Sequence, residues 1–114
     1  MVAERDGVIV GFASMAASGD DDATGSTGEL RAIYILEDVA GLGVGARLLE
    51  RPQNALRERG FVRATLWVLD ANKQARAFYE RHGWRPDGTV RVEEPGITLR
   101  EVRYAVQLGD RSAP

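Results

Sequence analysis

Between Leu36 and Leu49 the chain reads LEDVAGLGVGARLL, with Gly41, Gly43 and Gly45 set between an apolar, β-branched run and a helical pattern. Strand, glycines, helix is an anion cradle in physical terms. Glycine lets the backbone turn tightly and lets a ligand approach the N–H groups. The first N–H groups of the helix have no partner inside it, and the helix dipole adds partial positive charge at that end. Phosphate or pyrophosphate is the natural guest. A P-loop would end in Gly-Lys-Ser/Thr, which is absent. A dinucleotide fingerprint would read G-x-G-x-x-G with an acid farther on, and here the spacing is G-x-G-x-G. On spacing alone, a plain tight turn between strand and helix is the competing, less favoured explanation of the glycines.

The flanking patterns place the cradle in a fold. Val2-Ala3-Glu4-Arg5 and Val8 to Ala13 flank Asp6-Gly7, the dipeptide that signals a hairpin. Ser18 to Gly28 is rich in Gly, Asp, Ser and Thr and predicts a surface loop; its Asp20-Asp21-Asp22 run reads as solvated acid rather than a metal site. Glu29 to Leu36 predicts a buried strand. Ala46 to Arg59 predicts a helix with Leu48, Leu49, Pro52, Ala55 and Leu56 on its apolar face and Gly60 as its stop. Arg63 to Leu69 predicts a second strong strand. Asp70 or Asn72 is suited to cap a helix running to about Arg81, with Ala75, Phe78, Tyr79 and His82 on one face. Pro86 to Gly96 reads as turn-rich, and Ile97 to Leu108 as a final strand. The expected order is ββ-β-α-β-α-β, an α/β (α+β) fold with one mixed, mostly antiparallel sheet and flanking helices.

Composition narrows the class of function. At 114 residues the chain suits one domain, spanning 1–114. Hydrophobic residues at 44% and charged residues at 28% are those of an ordinary globular protein, which argues against disorder. No apolar run approaches the ~20 residues of a membrane span, so no membrane partner is expected. The first residues carry Glu4, Arg5 and Asp6 where a signal peptide would be apolar, so a cytoplasmic location is the expectation. There is no cysteine, hence no disulfide, thiolate nucleophile or Cys-ligated zinc. The net charge is −2 and the arginines are dispersed, which gives nucleic-acid binding little support.

A second pattern gives the cradle its context. Asn72 to Trp84, NKQARAFYERHGW, fits N-x-x-A-x-x-F-Y-x-x-x-G-F/W. Together with the strand–glycine–helix stretch and the hairpin VAERDGVIVGFA, it resembles the GNAT superfamily of acyl-CoA-dependent N-acetyltransferases from residue 2 to about 108. The resemblance implies a GNAT-like fold and acetyl-CoA as acyl donor. It implies direct transfer to a small-molecule or peptide amine, with no metal. A bulged central strand would offer backbone groups at Ile33, Tyr34 and Ile35 to the pantetheine and acetyl carbonyl; Ile33 and Ile35 also fit a core role. The pyrophosphate would lie on N–H groups of the loop Ala40, Gly41, Leu42, Gly43, Val44, Gly45 and Ala46. Asn72 would hydrogen-bond the cofactor, and Phe78 would line the same side. Tyr79 matches the family's general acid for the departing thiolate, although its position also suits a core aromatic. Glu29 matches a glutamate that some members use as base, and equally suits a surface acid at a strand start. His82, the one histidine, reads as a helix-end or surface residue.

Three positions depart from the family pattern. Ala40 stands where Gln or Arg is usual, and Leu42 where a basic residue is common. Loss of a phosphate-directed cation costs on the order of 1–3 kcal/mol of binding, which the nearby Arg47 is placed to offset in part. Pro52 falls inside the first helix, where a lost N–H and a steric clash cost about 3 kcal/mol or a kink. The family fold usually opens with a strand and two helices, roughly 35–45 residues, and this chain begins at the hairpin. The expectation is therefore an N-terminally truncated version of the fold with part of the sheet bare, prone to form a homodimer or to take a partner there. A non-catalytic CoA-binding or interaction module of the same fold is the alternative reading.

Overall fold

The computed structural model of the chain describes residues 1–35, 43–93 and 99–109. Its elements run β1 (Val2–Arg5), β2 (Val8–Ala17), β3 (Thr27–Ile35), α1 (Val44–Glu58), β4 (Arg63–Leu69), α2 (Lys73–Arg81), β5 (Arg85–Glu93) and β6 (Leu99–Gln107). The chain groups into two compact units, Met1–Ala64 with the segment from Gln107, and Thr65–Val106. No helix among the described residues is long and apolar enough to cross a membrane.

In the first unit the strands follow the order β1-β2-β3, antiparallel throughout. Asp6 and Gly7 take positive φ of 52° and 80°, the primed turn whose twist suits a two-residue hairpin. The β2–β3 ladder shifts register between Ser14 and Met15, so that Arg31 is an extra residue on β3. Side chains alternate across a sheet, and one extra residue reverses the phase. Leu30 and Ile33 therefore share a face with Ala13, while Glu29 and Tyr34 share the opposite one.

α1 covers the first of those faces with Leu48, Leu49, Pro52 and Leu56, all buried. The helix runs through Pro52 as one element. The ring sits fully buried on the apolar stripe, and this burial offsets the lost hydrogen bond. Gly28 belongs to β3 and is buried, not part of the preceding loop. A Cβ there would stand 2.7 Å from Leu56 Cδ2, so the close packing of strand on helix requires glycine. The opposite face leaves Val2, Ile9, Phe12 and Tyr34 exposed.

In the second unit the order is β4-β6-β5. The Asp70 N–H donates to the Arg100 carbonyl at 2.9 Å, and β5 pairs antiparallel with β6. β5 corrects the expected element order, which had a turn-rich segment there. The turn is real but short. Asp87 Oδ1 accepts the Thr89 N–H at 2.9 Å, Gly88 takes φ of 88°, and the register shifts between Pro86 and Val90. The strand then resumes with Val90 and Val92 alternating with charged residues. The buried Arg103 pairs with Asp87 (Nε–Oδ2 2.7 Å) and donates to Thr89 Oγ1 at 3.1 Å, tying this bulge to β6. Burial alone would raise the Asp87 pKa; the Thr89 N–H and the Arg103 guanidinium outweigh it and hold the carboxyl below its ordinary value. Mixed α/β elements with mostly antiparallel strands and two helices are the fold class the sequence predicts.

Candidate active site

The first unit supplies a strand end and a helix start. Ile33, Tyr34 and Ile35 close β3 opposite Ala13, Phe12 and Gly11. Ile33 is half-buried on the helix-covered face, whereas Tyr34 is exposed and stacks on Phe12 with centroids 5.8 Å apart. The register shift lies at Arg31, two residues before Ile33. Of the glycine loop, Ala40, Gly41 and Leu42 lie outside the described residues, while Gly43, Val44, Gly45 and Ala46 lie within them. Gly43 is the N-cap of α1 in a left-handed conformation, φ 85°, which only glycine adopts without strain. Among the described residues no side chain caps this end, and the first turn contains no acidic residue. A helix start of this kind, uncapped among the described residues, is chemically suited to an external anion such as a pyrophosphate.

Glu29 sits at the start of β3, its side chain 15% exposed and its Oε2 3.6 Å from Arg31 Nε. Four residues of strand separate it from Ile33, up to roughly 13 Å at the usual rise. Reversed phase after Arg31 puts Glu29 on the Tyr34 face and not the Ile33 face.

The second unit carries the helix motif, and here each part of the motif has a structural cause. Asn72 is the N-cap of α2: its Oδ1 accepts the Ala75 N–H at 3.1 Å. This leaves the amide Nδ2 as the donor for a ligand. Asp70 does not cap; it pairs with Arg76 (2.8 Å) and Arg100 (3.3 Å). At the other end the Trp84 N–H donates to the Tyr79 carbonyl (3.0 Å) and the Gly83 N–H to the Glu80 carbonyl (3.2 Å). Gly83 has φ of 91°. This is a Schellman stop, in which the residue after the glycine packs back on the last turn. The Trp84 and Tyr79 rings, 6.3 Å apart, make that contact. The spacing Y-x-x-x-G-W is thus the device that ends the helix and fixes Tyr79. His82 is the C-cap, exposed, with its ring 4.7 Å from that of Phe78.

Tyr79 is 7% exposed, packed among Phe78, Trp84 and Tyr104. Burial pushes its phenol up to about 12. Among the described residues its hydroxyl has no hydrogen-bond partner. The neighbouring Tyr104 hydroxyl differs, since it accepts from Arg76 Nε at 3.0 Å. Tyr79 is therefore a protonated donor held by its ring and free at its oxygen. The sequence reading did not anticipate the Asp70–Arg76–Tyr104 network. Asp70 lies in the turn after β4, Arg76 on α2 and Tyr104 on β6, and only the i, i+6 pairing of Asp70 with Arg76 is local in sequence.

A profile described as "Acetyltransferase (GNAT) family" matches residues 1–84. A Mycobacterium tuberculosis protein named "Probable N-acetyltransferase" is 32% identical over 115 residues, covering 99% of this chain and 61% of its own length. This chain thus spans less than two thirds of that relative. Among solved structures, an N-acetyltransferase from Staphylococcus aureus superposes with a TM-score of 0.81 at 21% identity, over 95% of this chain and 66% of its own. A Salmonella typhimurium protein solved with its cofactor acetyl-CoA gives 0.79 at 23% identity, over 99% and 66%.

Proposed function

This chain belongs to the GNAT family of acetyltransferases, and we propose that it moves the acetyl group of acetyl-CoA directly to the nitrogen of a primary amine. The observation that carries this reading is the hydroxyl of the otherwise buried Tyr79, which has no hydrogen-bond partner among the described residues. The neutral amine forms the new bond to the thioester carbonyl carbon. The carbon–sulfur bond breaks, and its electron pair stays on sulfur. Tyr79 delivers a proton to that sulfur, and the amine nitrogen gives up one proton. A thiol's ordinary pKa is about 8.5. The raised phenol is thus a weak acid on its own, and it acts as charge develops on the departing sulfur.

The other roles follow from the local geometry. The uncapped start of α1, from Gly43 to Ala46, suits the pyrophosphate, and the loop residues Ala40, Gly41 and Leu42 would continue that cradle. The backbone of Ile33, Tyr34 and Ile35 would hold the pantetheine and acetyl carbonyl. Asn72 would offer its free Nδ2, and Phe78 an apolar wall. For Glu29, the separation along β3 favours relaying the amine's proton through water over direct contact. Acceptors in this reading are small-molecule or peptide amines.

Free-thiol release from acetyl-CoA with a panel of amines tests the reading: turnover is expected, and it falls at least tenfold in Tyr79→Phe if general acid catalysis has its usual size. A non-catalytic CoA-binding module is the second reading, favoured by the absence of a cation at Ala40 and Leu42. It predicts calorimetric binding of acetyl-CoA with no turnover on any amine.

A further inference from the structure

The chain contains two Asp-Gly pairs, Asp6-Gly7 and Asp87-Gly88, and the fold treats them differently. Asp6 and Gly7 make the two-residue turn between β1 and β2, and both are exposed. The Asp6 carboxylate has no hydrogen bond or ion pair among the described residues, and the Gly7 N–H donates to none of them. Open space lies beside the Gly7 Cα, where an added Cβ would meet nothing within 4 Å. Asp6 holds a φ of 52°, a sparsely populated conformation for a residue with a Cβ, so rotation out of that well relieves local strain. Asp87 is held at both oxygens. Its Oδ1 accepts the Thr89 N–H at 2.9 Å, and its Oδ2 pairs with Arg103 Nε at 2.7 Å. The Asp87 side chain is 16% exposed and that of Arg103 4%.

We propose that Asp6-Gly7 is a site of spontaneous isoaspartyl modification, and that the modification releases β1 from the hairpin. Water is the only co-reactant. The Gly7 nitrogen gives its electron pair to Asp6 Cγ, and the new C–N bond closes a five-membered imide. One carboxyl oxygen leaves as water, taking the carboxyl proton and the amide hydrogen. Water then adds back to the imide. Opening at Cγ restores aspartate. Opening at the backbone carbonyl leaves Gly7 bonded to Cγ, with a new carboxylate on Cα. Mass and oxidation state are unchanged, but the main chain now passes through Cβ and is one atom longer. At Asp87 the same closure must break a buried charge-assisted pair and pull Cγ away from the Thr89 N–H, which slows it. The consequence for β1 follows from the turn. β1 has four residues, stands at the end of the strand order and pairs with β2. Turn geometry sets the register of a two-residue hairpin. An added backbone atom at its first position breaks the match of Arg5 with Val8 and the pairs behind it.

The test is ageing of the whole protein in warm neutral buffer, followed by digestion and electron-transfer fragmentation, which distinguishes isoaspartyl from aspartyl peptides of equal mass. Isoaspartate is expected at residue 6 roughly tenfold faster than at residue 87, the factor for one charge-assisted hydrogen bond that must break. In urea the two rates should converge, because both sites are then bare Asp-Gly. Asp6→Glu should abolish the product at the turn, since its closure needs a larger ring. The Ala13 N–H, which donates to the Met1 carbonyl at 2.8 Å, reports whether β1 is docked. Its protection from hydrogen exchange should fall in proportion to isoaspartate content and stay constant in aged Asp6→Glu. Equal rates at residues 6 and 87 in the folded chain overturn the proposal. So does an unmodified residue 6 over the time in which the urea-unfolded chain converts, or undiminished Ala13 protection in the modified fraction.

Discussion

Replacing Tyr79 by Phe tests the environment of the proposed acid before any catalysis is measured. Burial raises the phenol to about 12 in the folded chain, against about 10 when unfolded. A folded-state pKa above the unfolded one contributes stability that is full below pH 10 and is lost as pH rises toward 12. One pKa unit is worth about 1.4 kcal/mol, so the whole effect is on the order of 3 kcal/mol, of which about half is gone at pH 11. Phe removes the titration and keeps the ring contacts with Phe78, Trp84 and Tyr104. The hydroxyl has no partner among the described residues, so near pH 7 the substitution should cost little. Urea denaturation of both proteins from pH 8 to 11 is the assay. The stability difference should shift by roughly 1 kcal/mol in favour of Phe at the alkaline end. A difference that stays constant with pH would refute the buried, unpartnered phenol.

Other consequences lie elsewhere in the two units. Gly28→Ala should destabilise by about 1–3 kcal/mol, the usual range for overpacking, because its Cβ meets Leu56 at 2.7 Å. The cost should shrink in a Leu56→Ala background, and equal costs in both would contradict the packing. Asn72→Ala removes the α2 cap and should lower stability by about 1 kcal/mol, while Asn72→Asp, which keeps the acceptor for the Ala75 N–H, should recover most of it. Asp87→Asn should cost about 1.5–3 kcal/mol at neutral pH. It should also flatten the acid limb of the stability curve, since a depressed carboxyl gives stability above its unfolded pKa that is lost as pH falls through the folded one. An acid limb identical to wild type would remove the Arg103–Asp87 pair from the account.

Local chemistry made the helix ends and the hairpin legible. Asp6-Gly7 encodes its own turn, and Gly60 and Gly83 both take positive φ at Schellman stops. α1 and α2 lie within two residues of the predicted ends, and β4 coincides with its predicted span. What escaped was set by pairing between distant residues. β5 hides behind Pro86 to Thr89, whose turn residues bulge a strand that β6 holds in place. Gly28 reads as loop because its need for glycine comes from Leu56, twenty-eight residues away. The phase of Glu29 relative to Ile33 depends on the extra residue at Arg31, which no periodicity in β3 alone reveals. The helix cap at Asn72 and the place of Tyr79 on the apolar face of α2 are legible from the helix pattern. The Nδ2 that capping leaves free needed coordinates.

The account turns on acetyl transfer with Tyr79 as the proton donor. Free-thiol release from acetyl-CoA in the presence of an amine, compared between wild type and Tyr79→Phe at matched stability, measures it directly. Turnover that falls at least tenfold in the variant, with acetyl-CoA affinity little changed, is the predicted result. Wild-type turnover that Tyr79→Phe leaves unaltered would contradict the assignment of the acid, and binding without turnover on any amine would contradict the enzyme.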